Sequence, residues 1–328
     1  MEIIKIEGLT KKFEELVAVD NISFSVQEGE MFGFLGPNGA GKSTTLSMLS
    51  TLLTPTSGTA SVNGFSINTE KDRVRKSIGM VFQDPTLDDE LTALENMDFH
   101  GRLYGVPKEI RKKKSIDLLT LVELDTRKDN LVKTFSGGMK RRLEIARGLL
   151  HEPKILFLDE PTLGLDPQTR NKIWDYIKLL NQEKKITIIL TTHYMDEADK
   201  LCDRIAIIDH GKIIVLDTSE NLKDKIGGDV ITIETPNAEK LEVLVKNCDW
   251  CGFGKRHDGS LTVTVKRAET KLPGLIEIAN ANNVEIKTLT INKPTLEDVF
   301  LYFTGKTIRE QEAGSFENLR MRRRIRSR

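Results

Sequence analysis

The chain has 328 residues, 38% of them apolar and 30% charged, with a formal net charge of zero. That length suits a main domain plus a smaller one, and the neutral balance excludes a global basic field drawing it to nucleic acid. No apolar run approaches the roughly 18 to 20 residues that cross a bilayer. Met1-Glu2-Ile3-Ile4-Lys5 lacks a secretory leader pattern, and three cysteines are too few for a disulfide framework, so a reducing cytoplasmic setting is expected.

Residues 3–7 and 22–26 alternate apolar and polar side chains and predict two half-buried strands, an antiparallel edge ahead of the main core. Phe13 falls between them, where its ring can stack on a purine or pack in the core. After the turn Glu28-Gly29-Glu30, the apolar strand Met31 to Leu35 feeds Gly36-Pro37-Asn38-Gly39-Ala40-Gly41-Lys42-Ser43, and Thr44 to Leu53 leaves as an amphipathic helix. This is a complete G-x-x-x-x-G-K-[ST] loop with the flanks it requires. Its glycines let backbone N–H groups turn inward at the positive end of a helix dipole and wrap a polyphosphate. Lys42 then reaches the β- and γ-phosphates, and the Ser43 hydroxyl binds Mg²⁺.

Thr54 to Gly58 is a turn cluster, and Thr59 to Val62 with Asn63-Gly64 reads as a short strand and tight turn. Ile78 to Phe82 is a buried strand ending at Gln83, whose side-chain amide can bind Mg²⁺ or orient water. Residues 91–124 change to helical spacing and predict an inserted helical subdomain, with Arg111-Lys112-Lys113-Lys114 as a solvated helix face. Phe135-Ser136-Gly137-Gly138-Met139 opens the next helix. Ser136 is a natural N-cap, and two glycines in a first turn sacrifice about 1 kcal/mol each, which points to a second anion site.

Ile155-Leu156-Phe157-Leu158-Asp159-Glu160 is a continuous apolar strand ending in two carboxylates. Such a strand is buried on both faces of a parallel sheet, and ligands gather at the carboxyl ends of those strands. Asp159 is therefore aimed at a metal, and Glu160 is placed to polarise a water attacking the γ-phosphate. Gly164-Leu165-Asp166-Pro167 forms a tight turn into a helix from Gln168 to Leu180. Ile186 to Leu190 is a further buried strand ending in Thr191-Thr192-His193, where the imidazole can contact the γ-phosphate.

Beyond Asp217-Thr218 the pattern becomes βαββαβ: Val230 to Glu234, Ala238 to Lys246, a hairpin of Phe253 to His257 and Leu261 to Lys266 through Asp258-Gly259, Lys271 to Asn280, and Val284 to Ile291. It predicts a small ferredoxin-like α+β domain without a catalytic set. Cys248 and Cys251 have metal-ligand spacing but no second pair, and read as ordinary thiols. Thr295 to Leu301 reads as a capped helix. Six arginines among the last nine residues form a basic tail, expected to be disordered, with attraction to an anionic membrane or nucleic acid as a weaker alternative.

Taken in order, Phe13, the loop 36–43, Gln83, Ser136 to Gly138, Asp159-Glu160, the Asp166 loop and His193 resemble the ATP-binding cassette (ABC) ATPases, over nearly everything from Lys5 to about Leu216. Phe135 and Met139 depart from the family's Leu-Ser-Gly-Gly-Gln, removing a side-chain amide at 139, and Phe13 replaces a commoner Tyr. Pro294-Thr295-Leu296-Glu297-Asp298-Val299-Phe300 resembles the closing motif of cassettes from daunorubicin-resistance-type multidrug exporters. The resemblance implies an α/β P-loop ABC ATPase core with an antiparallel β edge and an inserted helical subdomain: residues 1–221 with the helical part at about 84–150, an accessory α+β domain at 222–305 and a tail at 306–328. It implies ATP held by Phe13, residues 36–43 and Thr44, and Mg²⁺ held by Ser43, Gln83 and Asp159. Glu160, His193 and Gln83 are the expected catalytic residues. It also implies a second cassette, most simply another copy, whose Ser136, Gly137, Gly138 and Met139 close the ATP site, with Asp166 communicating between protomers. The whole would act as the energy-coupling subunit of an exporter, peripheral on the cytoplasmic face of the membrane beside a separate permease. The competing readings are a soluble cassette acting on nucleic acid or ribosomes, favoured by the arginine tail alone, and a non-enzymatic nucleotide-binding regulator or scaffold.

Overall fold

A computed structural model describes residues 1–246, 248–257 and 260–305. The predicted Asp258-Gly259 turn and the tail from 306 lie outside them. The chain divides into two compact units between Ile213 and Ile214.

In the first unit the elements run β1 (Glu2–Phe13), β2 (Leu16–Gln27), β3 (Met31–Leu35), α1 (Lys42–Leu49), β4 (Ser57–Val62), β5 (Phe65–Ser66), α2 (Lys71–Ser77), β6 (Ile78–Val81), α3 (Ala93–Leu103) and α4 (Lys108–Leu121). There follow α5 (Gly137–Leu149), β7 (Ile155–Asp159), α6 (Pro167–Lys184), β8 (Thr187–Thr192), α7 (Met195–Leu201), β9 (Arg204–Asp209) and β10 (Lys212–Asp217), within which the boundary falls.

Two sheets build this unit. One is antiparallel in the order β2-β1-β4-β5, the expected edge; the other runs β10-β9-β3-β8-β7-β6, and its strands β9, β3, β8, β7 and β6 are all parallel. β3, β7 and β8 are buried at every position, as strands covered on both faces must be. Phe24 of β2 stacks on Phe32 of β3 with centroids 5.1 Å apart, so aromatic packing joins the two sheets. The register pairs Leu35 with Thr192 and Asp159 with Thr191, which brings the ends of β3, β7 and β8 to one edge. Helices α3, α4 and α5 share a core of their own around Met97, Leu119, Val132, Phe135 and Leu143, the inserted subdomain.

Several boundaries differ from expectation. β1 and β2 extend to a tight hairpin in which Phe13 pairs with Leu16, so Phe13 ends a strand and does not lie in a connecting segment. The helix after the phosphate loop stops at Leu49, and α6 runs on to Lys184. α2, α7, β9 and β10 are additions.

The second unit contains α8 (Ser219–Asp224), β11 (Asp229–Glu234), α9 (Ala238–Lys246), β12 (Cys251–His257), β13 (Ser260–Val265), α10 (Ala268–Ala281), β14 (Thr288–Asn292) and α11 (Leu296–Thr304). Its sheet order β12-β13-β11-β14, antiparallel throughout, is the ferredoxin-like arrangement of a βαββαβ chain. Ile231, Ile233, Leu261 and Val263 pack against Leu241 and Val245 of α9 and Leu275 and Ala279 of α10. Val284 and Ile286 join that core from an unpaired segment, so β14 starts later than their alternation suggests. α11 is capped reciprocally by Thr295 and Asp298 and packs on α8.

Candidate functional site

The phosphate loop lies between β3 and α1. Helix α1 starts at Gly41 in a left-handed conformation (φ 107°) without a side-chain cap, which leaves its first amides for an external acceptor. A Cβ at Gly41 would sit 2.5 Å from the Ala18 carbonyl oxygen, so both backbone angle and space demand glycine. Lys42 is buried, its ammonium donating to the carbonyls of Gly36 (2.7 Å) and Pro37 (3.1 Å) and lying 3.1 Å from Glu160 Oε1. The loop thus folds its own cation inward.

Asp159 and Glu160 leave β7 in different directions. Asp159 Oδ1 accepts from the hydroxyls of Ser43 (2.9 Å) and Thr191, which brings together two of the three expected cation ligands, Ser43 and Asp159. Glu160 takes a left-handed backbone conformation (φ 49°), unusual for a residue with a Cβ, and its N–H donates to the Thr191 hydroxyl (3.0 Å) and carbonyl (3.1 Å). That turn brings its carboxylate between Lys42 and His193, whose Nδ1 lies 2.8 Å from Oε2. Burial pushes the Glu160 carboxyl up, but the His193 hydrogen bond and the Lys42 charge outweigh it and hold the group below the usual glutamate range. The Glu160 carboxyl is therefore ionised at neutral pH.

Arg141, on the buried face of α5, holds this corner together. Its guanidinium donates to the carbonyls of Asp159 (3.0 Å), Glu160 (2.8 Å), Pro161 (2.7 Å) and Phe82, and to Glu144 Oε2 (3.1 Å). It therefore ties the inserted subdomain to the end of β7 and to the residue before Gln83. Arg141 and Thr191 were not singled out from sequence, although Arg141 shares the i, i+4, i+8 row of Ile145 and Leu149, a stripe that goes inward.

The remaining expected residues are more dispersed. Gln83 is exposed just past β6. Phe13 is 42% exposed, with the Lys11 ammonium 5.0 Å from its ring centre. Asn38 and Gly39 are exposed at the loop crest, and Thr44 is half-buried in the first turn of α1. Ser136 caps α5, its hydroxyl accepting from Met139 N–H at 3.3 Å, and Asp166 caps α6, accepting from Thr169 N–H at 3.0 Å. Ser136, Gly138 and Met139 line a separate hollow of about 210 Å³ with Arg142, Gln168, Thr169 and Lys172. There a Cβ on Gly138 would meet Thr169 Cγ2 at 2.3 Å, so that glycine is required by the approach of α6.

Residues 19–163 match the ABC transporter family and residues 218–304 match the ATP-binding protein DrrA1-3-like C-terminal domain. The linearmycin resistance ATP-binding protein LnrL of Bacillus subtilis is 40% identical over 94% of this chain and 100% of its own length. The daunorubicin/doxorubicin resistance ATP-binding protein DrrA of Streptomyces peucetius is 39% identical over 92% of each chain. A solved dimer of the ATP-binding cassette MJ0796, in a post-hydrolysis state bound to ADP and Pi, superposes with a TM-score of 0.59 and 32% identity over 66% of this chain and 98% of its own. The chain belongs to the ABC transporter ATPases. Within them it is of the drug-resistance exporter type, an ATP-hydrolysing, energy-coupling subunit, and the comparisons do not favour a nucleic-acid or ribosomal role.

Proposed function

We propose that this chain drives export of an amphiphilic drug-like compound through a separate membrane-spanning partner, by ATP hydrolysis between two copies of itself. The observation that carries the reading is the buried Lys42–Glu160–His193 group beside the uncapped start of α1.

The contacts of Lys42 and Glu160 suggest how substrate readies the site. Lys42 spends its charge on Glu160 and two loop carbonyls. An arriving triphosphate offers Lys42 a stronger anion, and the α1 amides hold the same phosphates. Glu160 Oε1 is then free to orient and polarise a water, while His193 keeps hold of Oε2 and stands next to the γ-phosphate. Ser43 and Asp159, already joined through one hydrogen bond, fit a Mg²⁺ ion with their hydroxyl and carboxylate oxygens, and exposed Gln83 would complete that set on closure. Mg²⁺ supplies charge neutralisation for the β- and γ-phosphates. Phe13, exposed at the end of β1, stacks on the adenine.

Ser136 to Met139 open onto a different hollow from the phosphate loop, which supports a head-to-tail pair in which that helix start covers the partner's ATP. The dimeric MJ0796 cassette supports the same reading. Asp166 would then report partner contact at the start of α6. The first unit would be the motor and the second the accessory domain. No helix among the described residues is long and apolar enough to cross a membrane. In this reading a partner supplies the transport path and this chain is peripheral at the cytoplasmic surface. ATP-driven accumulation of daunorubicin in inverted vesicles carrying the chain and its partner tests the reading. Equal accumulation with the Glu160→Gln variant would sink it.

A further inference from the structure

Glu197 lies on α7, four residues past His193, and is fully buried. Its Oε1 accepts from the Thr162 hydroxyl (2.8 Å) and from the Trp174 indole N–H (2.8 Å). Its Oε2 makes no hydrogen bond of good geometry among the described residues, although the Thr192 hydroxyl stands near the carboxyl. Among the described residues no cation forms an ion pair with it. Arg141 is engaged by Glu144 and four carbonyls, Arg170 lies over Tyr194 and pairs with Asp196, and Lys200 lies 4.8 Å from the centre of the Trp174 ring.

The three segments meeting at Glu197 are those that carry the expected chemistry. Thr162 sits two residues past Glu160 and four before Asp166. Trp174 belongs to α6, the helix that Asp166 caps. Glu197 itself belongs to the helix that follows His193. We propose that Glu197 is a positioning residue for hydrolysis, clamping the Glu160–Asp166 loop and α6 to α7 so that contact at Asp166 is felt at the Glu160–His193 hydrogen bond. Burial pushes this carboxyl up, and the clamp is one that the neutral acid can form, since both donors need only an acceptor oxygen. One acceptor oxygen holding two donors suffices for the role; a negative charge does not enter it.

The inference rests on hydrolysis at Glu160, and wild-type Mg²⁺-dependent turnover by the full chain is the control that would fail with that reading alone. Because misplacement of a reacting group by about 1 Å costs up to about 100-fold, Glu197→Ala should lower kcat by about 10- to 100-fold. Its affinity for a fluorescent ATP analogue, measured without Mg²⁺, should stay within about twofold, since uniform binding is untouched. Glu197→Gln keeps the acceptor oxygen without a charge and should retain kcat within about threefold, whereas a clamp that needed the carboxylate would lose as much as the alanine variant. Thr162→Val and Trp174→Phe, each removing one donor, should lower kcat with nucleotide affinity unchanged, and they decide the matter if Glu197→Ala does not fold. Native kcat in both donor variants, or nucleotide affinity falling in step with kcat, would overturn the positioning role. Loss of kcat in Glu197→Gln equal to that in Glu197→Ala would overturn the neutral acid.

Discussion

Replacing Glu160 by Gln removes a charge that is held by Lys42 at 3.1 Å and His193 at 2.8 Å. At an effective dielectric near 20 the Lys42 pair is worth about 5 kcal/mol of gross Coulomb attraction, 332/(20 × 3.1), and desolvation of both ions takes back most of it. A net of about 1 to 2 kcal/mol then stands against any phosphate that recruits Lys42, and its loss should tighten ATP binding by about 10-fold. Removing the carboxylate also removes its repulsion of the γ-phosphate, which acts in the same direction. Loss of a general base costs about 10² to 10⁴ in rate, so turnover should nearly vanish while ATP stays bound. Titration with a fluorescent ATP analogue, single-turnover kinetics and light scattering of the ATP-bound form read the three consequences, with a long-lived dimer expected. Native turnover would remove Glu160 as the base. Unchanged or weaker ATP affinity would refute the competition between Glu160 and phosphate for Lys42.

Other consequences follow from single contacts. Gly138→Ala should lower stability by about 1 to 3 kcal/mol through the clash with Thr169 Cγ2, and Thr169→Ser, which deletes that methyl, should restore most of the melting temperature; failure of the rescue would place the constraint elsewhere. Arg141→Met leaves Glu144 and four carbonyls without their donor, and should cost about 3 to 5 kcal/mol together with most of kcat, read by denaturant unfolding and ATPase assay; a stable, active variant would refute its bracing role. His100 is pushed down to about 3 by burial, aided by Arg147 and His151, so it stays neutral in the fold while the unfolded chain takes up a proton near pH 6.5. The unfolded state therefore binds more protons below that pH, and stability should fall by as much as about 1.4 kcal/mol per pH unit from pH 6.5 down toward 3. Melting curves of a His100→Leu variant should show a shallower acid slope than wild type between pH 6.5 and 5, and an identical slope would show that His100 does not carry this term.

The parts of the site written in consecutive residues were legible, because each motif encodes its own local geometry. Gly36 to Ser43 specifies a turn, an uncapped helix and a cation in eight residues. The apolar run Ile155 to Leu158 can only be a strand covered on both faces, and its carboxyl end has to carry Asp159 and Glu160 to the sheet edge. The βαββαβ order of the second unit survived for the same reason, since alternation and turn chemistry are local. By that standard the run Ile205 to Ile208, buried throughout in β9, carried a readable signal that was passed over. Phe13 lies at the end of a strand, where the sequence pattern suggests a connecting segment, for a different reason. Its strand is defined by pairing with Leu16 in the next one, a partner that alternation within 3–7 and 22–26 does not reach.

What stayed hidden is the traffic between distant segments. Lys42 reads as a phosphate ligand, yet its resting partners include Glu160, and only the register of β3, β8 and β7 brings the two ends together. Arg141 and Glu197 look like surface charges of ordinary helices and are instead buried, one donating to the backbone around Glu160 and the other accepting from the loop and helix on either side of Asp166. Both brace the left-handed turn at Glu160, from α5 on one side and α7 on the other. A carboxylate held in that conformation keeps its aim only while both braces hold. Because α5 also begins with Ser136 to Met139, a partner seated on that helix start would load the Arg141 brace directly, which would give closure of such a pair a mechanical route to the Glu160 carboxylate.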